Sequence, residues 1–263
     1  MFFTTFVSFF DSYSLGTTDS DIDNHLFLDS PVNVITVLLA YVLFIFKWGP
    51  QIMKSREPFN LKTLMIIYNV VQVFFNLILF IMAARLMPNF SAYCSPANIS
   101  HTATDVAIRK VHYYYVLLKF IDFFDTVFFI LRKKHSQISL LHLHHHIGIA
   151  STTWVTLKTI PGGVAMFVFL VNTFVHVIMY LYYLINLLDR TKTMWWKKHL
   201  TQLQLVQHFF VFIVFFIHLI NYECSYSKGF LIFYLMNTLT TIYLFSKFYF
   251  KNYIFKKTHS KAI

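Results

Sequence analysis

Long apolar runs alternate with short charged segments along this chain. A helix needs roughly 20 apolar residues to cross a membrane. Seven runs meet that length and predict helices at residues 31–47, 64–84, 111–131, 138–157, 164–188, 202–221 and 229–249. The pattern divides the chain into an acidic tail (1–30), one helical domain (31–250) and a short basic tail (251–263).

The composition indicates lipid as the surroundings of this domain. The 263 residues are 57% hydrophobic and 20% aromatic, and only 13% are charged. A soluble core of this size could not bury that much apolar surface. The sequence therefore predicts an all-α integral membrane protein. The opening MFFTTFVSFF has no basic region and no cleavage site, so we interpret it as a mature tail.

The net charge of +11 is spread over short connections between the predicted helices. No single basic patch with interleaved aromatic residues exists, which disfavours a nucleic-acid partner. Basic loops stay in the cytosol by the positive-inside rule. We therefore expect a cytosolic C-terminus, and an acidic N-terminal tail on the opposite side. The basic residues that define these cytosolic connections are Lys47, Lys54, Arg56, Lys62, Arg132, Lys133, Lys134, Arg190, Lys192, Lys197, Lys198, Lys256, Lys257 and Lys261.

Both cysteines, Cys94 and Cys224, fall in loops assigned to the non-cytosolic side. Disulfides persist in that compartment. We expect a Cys94–Cys224 disulfide, with two unrelated thiols as the alternative.

Four histidines cluster in the segment LHLHHH at the start of the fourth predicted helix. Helical steps of about 100° place His142, His145 and His146 on one face and His144 nearly opposite. The phasing predicts a site that excludes His144.

Polar residues recur at helical spacing on the neighbouring predicted helices. Ionisable residues inside spans usually face the protein interior, so these stripes predict one buried site in the cytosolic half of the bundle. Lys119 and Asp122 can pair, which would leave Asp125 and Thr126 to face another helix. A purely structural ion cluster is the alternative for this stripe. The remaining stripes contain Asn172, His176, Met179, Tyr180 and Tyr183 on one helix, and Thr201, Gln204 and Gln207 on the next.

Closely spaced histidines suggest iron or zinc as one interpretation. A di-iron site needs several histidine boxes, and this chain has one. A single zinc completed by His176 or Asp125 stays open. Histidine itself is the other candidate, because a neutral imidazole can attack a thioester and pass the acyl group onward. A water-poor chamber would protect the acyl-imidazole intermediate.

Four ordered motifs across most of the chain resemble the ELO (ELOVL) family of very-long-chain fatty acid elongases. They are similar to the family patterns K-x-x-E-x-x-D-T, H-x-x-H-H, N-x-x-x-H-x-x-M-Y-x-Y-Y and T-x-x-Q-x-x-Q-F. These patterns correspond here to Lys119, Asp122, Asp125 and Thr126; His142, His145 and His146; Asn172, His176, Met179, Tyr180, Tyr182 and Tyr183; and Thr201, Gln204 and Gln207. Asp122 replaces glutamate and His208 replaces phenylalanine. A first-loop segment from Gly49 to Phe59 also resembles the family.

The resemblance implies a 3-oxoacyl-CoA synthase, an acyltransferase that condenses long-chain acyl-CoA with malonyl-CoA and releases CoA and carbon dioxide. It implies seven transmembrane helices around a narrow substrate tunnel, with a lumenal N-terminus and a multi-pass location in the endoplasmic reticulum membrane. No cofactor is implied. The implied partners are membrane lipids and the ketoacyl-CoA reductase, dehydratase and enoyl-CoA reductase of the same cycle. A homo-oligomer stays open. The competing interpretation is a di-iron or zinc lipid-modifying enzyme.

Our mechanistic hypothesis assigns the acyl-carrying nucleophile to His145, with His142 and His146 as orienting or proton-transferring groups. His176 and Asn172 would stabilise the enolate or thioester oxygen. Substrate contacts are expected from the remaining motif residues, and CoA phosphates at the cytosolic end near Arg56, Arg132, Lys133 and Lys197. The substrate-contact candidates are Lys119, Asp122, Asp125, Thr126, Tyr180, Tyr183, Thr201, Gln204 and Gln207.

Overall fold

The computed structural model describes residues 28, 30–87, 102–189, 191, 196–221 and 226–255. Within these ranges the chain is helical and contains no strand, which confirms the predicted all-α class. Cys94 and Cys224 lie outside the described residues, as do most of the two predicted tails. Their expected disulfide therefore stays a prediction.

Eight helices run through the described residues. The bounds are α1 Pro31–Met53, α2 Lys62–Leu86, α3 Ala103–Ile121, α4 Phe124–Leu131, α5 Leu140–Thr159, α6 Val164–Leu188, α7 Trp196–Ile220 and α8 Lys228–Phe255. Two of them contain π-helical segments, at Phe44–Trp48 in α1 and at Phe250–Phe255 in α8. Helices α1, α2, α6, α7 and α8 are long and apolar enough to cross a membrane.

The third predicted helix, residues 111–131, is two helices in the structure. Helix α3 begins earlier, at Ala103, and ends at Ile121, before Asp122 and Phe123 form a turn that leads into α4. The backbone N–H of Asp122 still bonds to Leu118 O, while that of Phe123 bonds to Phe120 O. Apolar periodicity missed this interruption because both segments remain apolar on either side of it.

Helices α3 and α5 are absent from the five apolar spans, although we predicted seven spans. Their polar side chains lower their hydropathy, yet many of those side chains are buried in the protein. The buried polar residues of these two helices include Asp105, Arg109, His112, Lys119, His146, Thr152, Thr153 and Thr156. Neighbouring helices therefore cover the polar surface that a lipid-facing helix could not carry.

A tight reversal leads from α4 into the histidine-bearing helix α5. Lys133 adopts a left-handed φ of 54°, and the N–H of Lys134 bonds to Phe129 O at 2.8 Å. Ser139 then starts α5, because its hydroxyl accepts the N–H of His142 at 3.2 Å. This N-cap fixes the helical phase of the histidines that follow.

Six helices close into a ring. Its successive contacts are α2 with α6, α6 with α7, α7 with α8, α8 with α5, α5 with α3, and α3 with α2. Helix α3 also contacts α6 across the interior. Large side chains such as Tyr115, Phe169 and Phe215 fill one cluster of this core.

Helix α1 packs on the outside of the ring, against the side formed by α3, α4 and α5. The ring of Tyr41 stacks on that of Phe123 with centroids 4.0 Å apart. Trp154 of α5 donates its indole N–H to Leu28 O at 2.8 Å, just before α1 begins. These contacts hold the first helix against the histidine-bearing part of the molecule.

Gly49 lies where the π-helical turn of α1 meets α4. A Cβ atom at this position would lie 2.7 Å from Phe44 O and 2.8 Å from Ile130 Cγ2. We expect Gly49→Ala to destabilise the protein by about 1–3 kcal/mol, because a backbone atom must shift to accommodate the methyl group. Thermal unfolding of the detergent-purified protein measures this loss.

Gly229→Ala is the matched control, since a Cβ there meets only Ser227 Oγ at 3.8 Å. Equal unfolding midpoints for the two variants would contradict the close packing of α1 on α4.

Candidate functional site

A buried carboxylate at the end of α3 collects hydrogen bonds from three helices. Asp122 Oδ2 accepts from Lys119 Nζ at 2.8 Å, which confirms the pair predicted from sequence. Asp122 Oδ1 accepts from Gln72 Nε2 at 2.8 Å and from the Tyr180 hydroxyl at 3.1 Å. Lys119 and Gln72 are completely buried, so this charge is balanced inside the protein.

Asn172 is oriented by two donors. Its Oδ1 accepts the Tyr115 hydroxyl at 2.7 Å and Lys119 Nζ at 3.2 Å. Because the oxygen is held by these groups, the Nδ2 donors remain for another acceptor. The side chain also borders an internal cavity, so those donors lie beside unfilled space.

His176 lies one turn further along α6. Its Nδ1 bonds to the carbonyl of Asn172 at 2.9 Å, and this acceptor requires a protonated Nδ1. Its Nε2 is 3.7 Å from Asp122 Oδ2. The Asn172–His176 pair is therefore anchored to the Asp122 network through both backbone and side chain.

Asp125 and Thr126 extend the site toward α1 and α5. The Tyr180 hydroxyl is 2.9 Å from Asp125 Oδ2 and can donate to only one of its two carboxylate neighbours at a time. Thr126 Oγ1 is 2.7 Å from the Tyr41 hydroxyl and 2.8 Å from His142 Nε2. The prediction that Asp125 and Thr126 face other helices is confirmed.

The histidines of α5 point in different directions. His142 faces Thr126 and Phe129 of α4, and His146 faces Phe123 in the turn before α4, with the two imidazole centroids 4.2 Å apart. His145 faces α6 and α7, with its centroid 6.3 Å from that of His176. Among the described residues, no hydrogen bond partner contacts the ring nitrogens of His145. Its nitrogens are thus available to a ligand.

Helical phasing excluded His144 from the site, yet the structure places His144 on the wall of the cavity. Its side chain does point away from His142, but helix α8 packs on that side. His144 Nε2 is 3.2 Å from Thr241 Oγ1, and both residues border the same cavity as His145. Phase alone could not reveal a second buried face of one helix.

The cavity lies between α5, α6, α7 and α8, beside His145. Most of its lining residues carry a polar side chain, although apolar atoms form most of the wall surface, and none of the lining residues is a lysine, arginine, aspartate or glutamate. The lining residues are His144, His145, Ile149, Thr152, Val168, Asn172, Gln207, His208, Val211, Tyr234, Asn237, Thr238 and Thr241.

The remaining stripe residues contribute unequally. Gln207 lines the cavity, and its buried Oε1 has no hydrogen bond partner among the described residues. Gln204 Nε2 contacts Met179 Sδ at 3.5 Å, while the Thr201 hydroxyl bonds to Lys197 O within its own helix. Tyr183 was expected to point inward, but it is 36% exposed at the edge of the aromatic packing around Tyr180.

The basic residues proposed to bind CoA phosphates lie outside the hydrogen-bond network around Asp122. Arg56 is exposed in the loop before α2, and Lys197 is exposed near the start of α7. Arg132 Nη1 contacts Met65 Sδ at 3.2 Å, and Lys133 forms the reversal after α4. The N–H of Phe59 bonds to Leu131 O at 3.0 Å, which joins the first loop to this reversal.

Several site residues were missed or left unassigned by sequence reasoning. Tyr68, Gln72 and Asn76 are spaced four residues apart in an apolar helix. This spacing places them on one helical face, so the sequence did predict a polar face there. Tyr115 precedes Lys119 by four residues, so the same kind of signal was present there, and Asn237 lies in a polar segment with Thr238, Thr240 and Thr241. Tyr41 stands among apolar residues without such a pattern. Only the packing of α1, α3 and α8 brings Tyr41, Tyr115 and Asn237 to the site.

The described residues contain no group of three or more histidine, cysteine, aspartate or glutamate side chains arranged to hold a metal ion. The box histidines instead lie in different surroundings, except that His142 and His146 pack against each other. His142 bonds to Thr126 and His144 to Thr241, whereas His145 borders open space. This arrangement offers an unbound imidazole beside amide donors, a set suited to acyl transfer.

Comparison with known proteins identifies the family of this chain. The profile of the ELO: GNS1/SUR4 family matches residues 26–261. A very long chain fatty acid elongase of Aedes aegypti is 38% identical over 86% of this chain and 64% of its own length. The mouse very long chain fatty acid elongase 1 is 35% identical over 93% of this chain and 90% of its own.

The very long chain fatty acid elongase 7 of Rattus norvegicus is 39% identical over 82% of this chain and 80% of its own length. The family profile thus covers nearly all of the helical part, including every motif that contributes to the buried network. The chain belongs to the ELO family, whose relatives here are very long chain fatty acid elongases.

Proposed function

We propose that this protein is a 3-oxoacyl-CoA synthase that condenses a long-chain acyl-CoA with malonyl-CoA. The products are CoA, carbon dioxide and a 3-oxoacyl-CoA that is two carbons longer. The observation that carries the proposal is the position of His145, which borders the cavity with its ring nitrogens unbound by described residues. The family relationship supports the same chemistry.

His145 acts as the nucleophile because the other three histidines of the box either bond to protein side chains or lie away from the cavity. His142 bonds to Thr126, His144 bonds to Thr241, and His146 packs against His142 away from the cavity. The neutral His145 ring attacks the thioester carbon, and the CoA thiolate leaves. The acyl-imidazole then passes its acyl group to the carbon of malonyl-CoA that is freed by decarboxylation.

Asn172 and His176 stabilise the oxygen on which negative charge develops. The Nδ2 donors of Asn172 are directed away from Tyr115 and Lys119, which hold its Oδ1. His176 presents Nε2 once its Nδ1 is bound to Asn172 O, and Nε2 becomes a donor when the ring is protonated. The Asn172 donors are fixed in advance and cost no reorganisation during the reaction, whereas His176 donates only after its ring takes up a second proton.

Lys119 and Asp122 work as positioning residues in this mechanism. Their charged atoms are buried and bonded to protein partners, so they hold Asn172 and His176 in place. Tyr180 connects them to Asp125, and Thr126 orients His142. Hydrogen bonds of this kind keep catalytic groups within the narrow geometry that the reaction tolerates.

The substrate enters at the end of the bundle that carries the basic residues. Arg56, Arg132, Lys133 and Lys197 bind the phosphates of CoA at the cytosolic mouth. The acyl chain occupies the interior beyond His145, where Gln207 borders the cavity. Thr201 and Gln204 lie on the same helix as Gln207, nearer the start of α7, and Tyr183 lies near the end of α6.

A lumenal N-terminus and a cytosolic C-terminus require an odd number of membrane crossings. We assign seven, with α3 and α4 together forming the third crossing and α5 the fourth. The N-terminus then faces the lumen and the C-terminus the cytosol, in the endoplasmic reticulum membrane. The reaction needs no cofactor. The 3-oxoacyl-CoA product passes to the ketoacyl-CoA reductase, dehydratase and enoyl-CoA reductase of the elongation cycle, and self-association within the membrane is compatible with this arrangement.

Replacing His145 tests the covalent step. With radiolabelled acyl-CoA and no malonyl-CoA, we expect the wild-type protein to form a trappable acyl-enzyme and release CoA. His145→Ala should form none, and its condensation rate should fall by more than about 10³-fold, because the nucleophile is lost.

His135→Ala is the control, since His135 lies exposed in a short turn outside the network. A His145→Ala variant that condenses substrates at a near-normal rate would exclude the acyl-imidazole route.

Asn172→Ala should lower kcat by about 10²–10³-fold, because a preorganised oxyanion donor is lost. The KM for acyl-CoA should change little. Tyr115→Phe keeps Asn172 but removes one hydrogen bond that orients it, so we expect a smaller loss of about tenfold. Steady-state kinetics of both variants measure the two effects, and a loss for Tyr115→Phe as large as that for Asn172→Ala would argue against the donor role.

Metal removal separates this proposal from a di-iron or zinc lipid-modifying enzyme. We expect purified, active protein to contain iron and zinc well below one equivalent per chain, and to retain its condensation rate after treatment with chelators. Elemental analysis and a malonyl-CoA-dependent elongation assay provide the measurements. A rate that disappears with the metal and returns with its addition would favour the metal enzyme.

A further inference from the structure

His208 of α7 lies beside the proposed nucleophile without being part of the histidine box. Its ring centroid is 5.7 Å from that of His145, with the two rings nearly perpendicular at 78°. Both residues border the cavity. Phe245 of α8 contacts both rings, at 5.3 Å from His208 and 6.4 Å from His145, and so holds them together.

The geometry distinguishes His208 from the other imidazoles near His145. His176 is farther away at 6.3 Å, its ring is stacked at 26°, and its Nδ1 is bound to Asn172 O. His146 is 5.9 Å away but lies outside the cavity lining. The ring nitrogens of His208 have no hydrogen bond partner among the described residues. A small rotation of either ring would permit an N–H···N bond between His145 and His208.

We propose that His208 is a further catalytic residue, which accepts the ring proton of His145 during acylation. This inference rests on the proposed function. As the neutral His145 nitrogen bonds to the acyl carbon, the C–S bond breaks and its electron pair leaves with the CoA thiolate. The acyl-imidazolium then transfers its N–H proton to His208, which leaves a neutral acyl-imidazole and a protonated His208.

The second half of the reaction returns the proton. Malonyl-CoA loses carbon dioxide, and the electron pair of the broken C–C bond forms the enolate. The enolate carbon attacks the acyl carbon, and the pair of the broken C–N bond returns to His145. His208 gives its proton back to the other ring nitrogen of His145, from which it was taken, while the CoA thiolate takes a proton from solvent. Both imidazoles end the cycle neutral.

The groups that face His208 from neighbouring helices are mostly neutral or titrate as imidazoles. Helix α5 presents His144 and His145, and α6 presents His176. The described part of α8 presents Thr241 and Phe245. The charged Lys119 interacts with His145 and His176 from α3, and it is paired with Asp122.

The experiment measures single-turnover acylation of the full-length protein from radiolabelled acyl-CoA, without malonyl-CoA, across a pH series. Acylation requires neutral His145 and neutral His208, so the logarithm of the wild-type rate should rise with pH on the acid side with a slope of about two. His208→Phe should acylate about 10²-fold more slowly, and its acid-side slope should fall to about one. Phenylalanine is the residue of the family pattern at this position, which favours correct folding of the variant.

Two further variants separate proton transfer from packing. His208→Ala leaves space beside His145, and added imidazole should restore its acylation in proportion to the free-base concentration. Phe209→Ala is the matched control, because this neighbour is 57% exposed on the outer surface of α7 and should leave both rate and slope unchanged. His208→Asn provides the same slope measurement if the phenylalanine variant does not fold.

An unchanged acid-side slope in His208→Phe, or a slowed His208→Ala that imidazole does not restore, would overturn the assignment to His208. Absence of any acyl-enzyme in the wild-type protein would overturn the covalent route as well. Normal wild-type acylation with equal rates in the His208 variants would overturn only this inference and leave the proposed function standing.

Discussion

The buried charge of Asp122 constrains the whole interior of this protein. A carboxylate removed from water must be compensated by charge and hydrogen bonds, or it costs several kcal/mol. Lys119 compensates it from α3, Gln72 from α2, and Tyr180 from α6. Because side chains from three helices must meet at the two oxygens of one carboxylate, these hydrogen bonds restrict how α2, α3 and α6 can shift along one another.

The same constraint explains why the third predicted helix is interrupted. Asp122 lies in the turn between α3 and α4, where its side chain reaches α2 and α6 at once. The turn leaves Thr126 on α4 facing Tyr41 and His142, so one position joins the outer helix α1 to the histidine helix. The break in the helix is therefore part of the site's architecture.

His145 stands between two different environments that follow from this packing. On one side, Asn172 and His176 are anchored to the Asp122 network. On the other side, the cavity wall contains neutral amides, hydroxyls and the imidazole of His208. Acyl transfer through His145 requires that the negative charge on the acyl oxygen is stabilised and that a proton leaves the imidazole. The first side can stabilise the oxygen, and the second side can accept the proton. The outer surface of the ring meanwhile stays apolar, as contact with lipid demands.

The sequence by itself determined the helical class, most helix positions and the motif residues, because apolar runs and helical spacing are local properties. The run 164–188 coincides with α6, and the pairing of Lys119 with Asp122 follows from their three-residue separation. Tertiary structure decided which faces became walls of the site. His144 and Asn237 border the cavity only because α8 packs against α5, and Tyr41 reaches Thr126 only because α1 lies outside the ring. Spacing along one helix sets the direction of a side chain, but the partner on that side comes from distant parts of the chain.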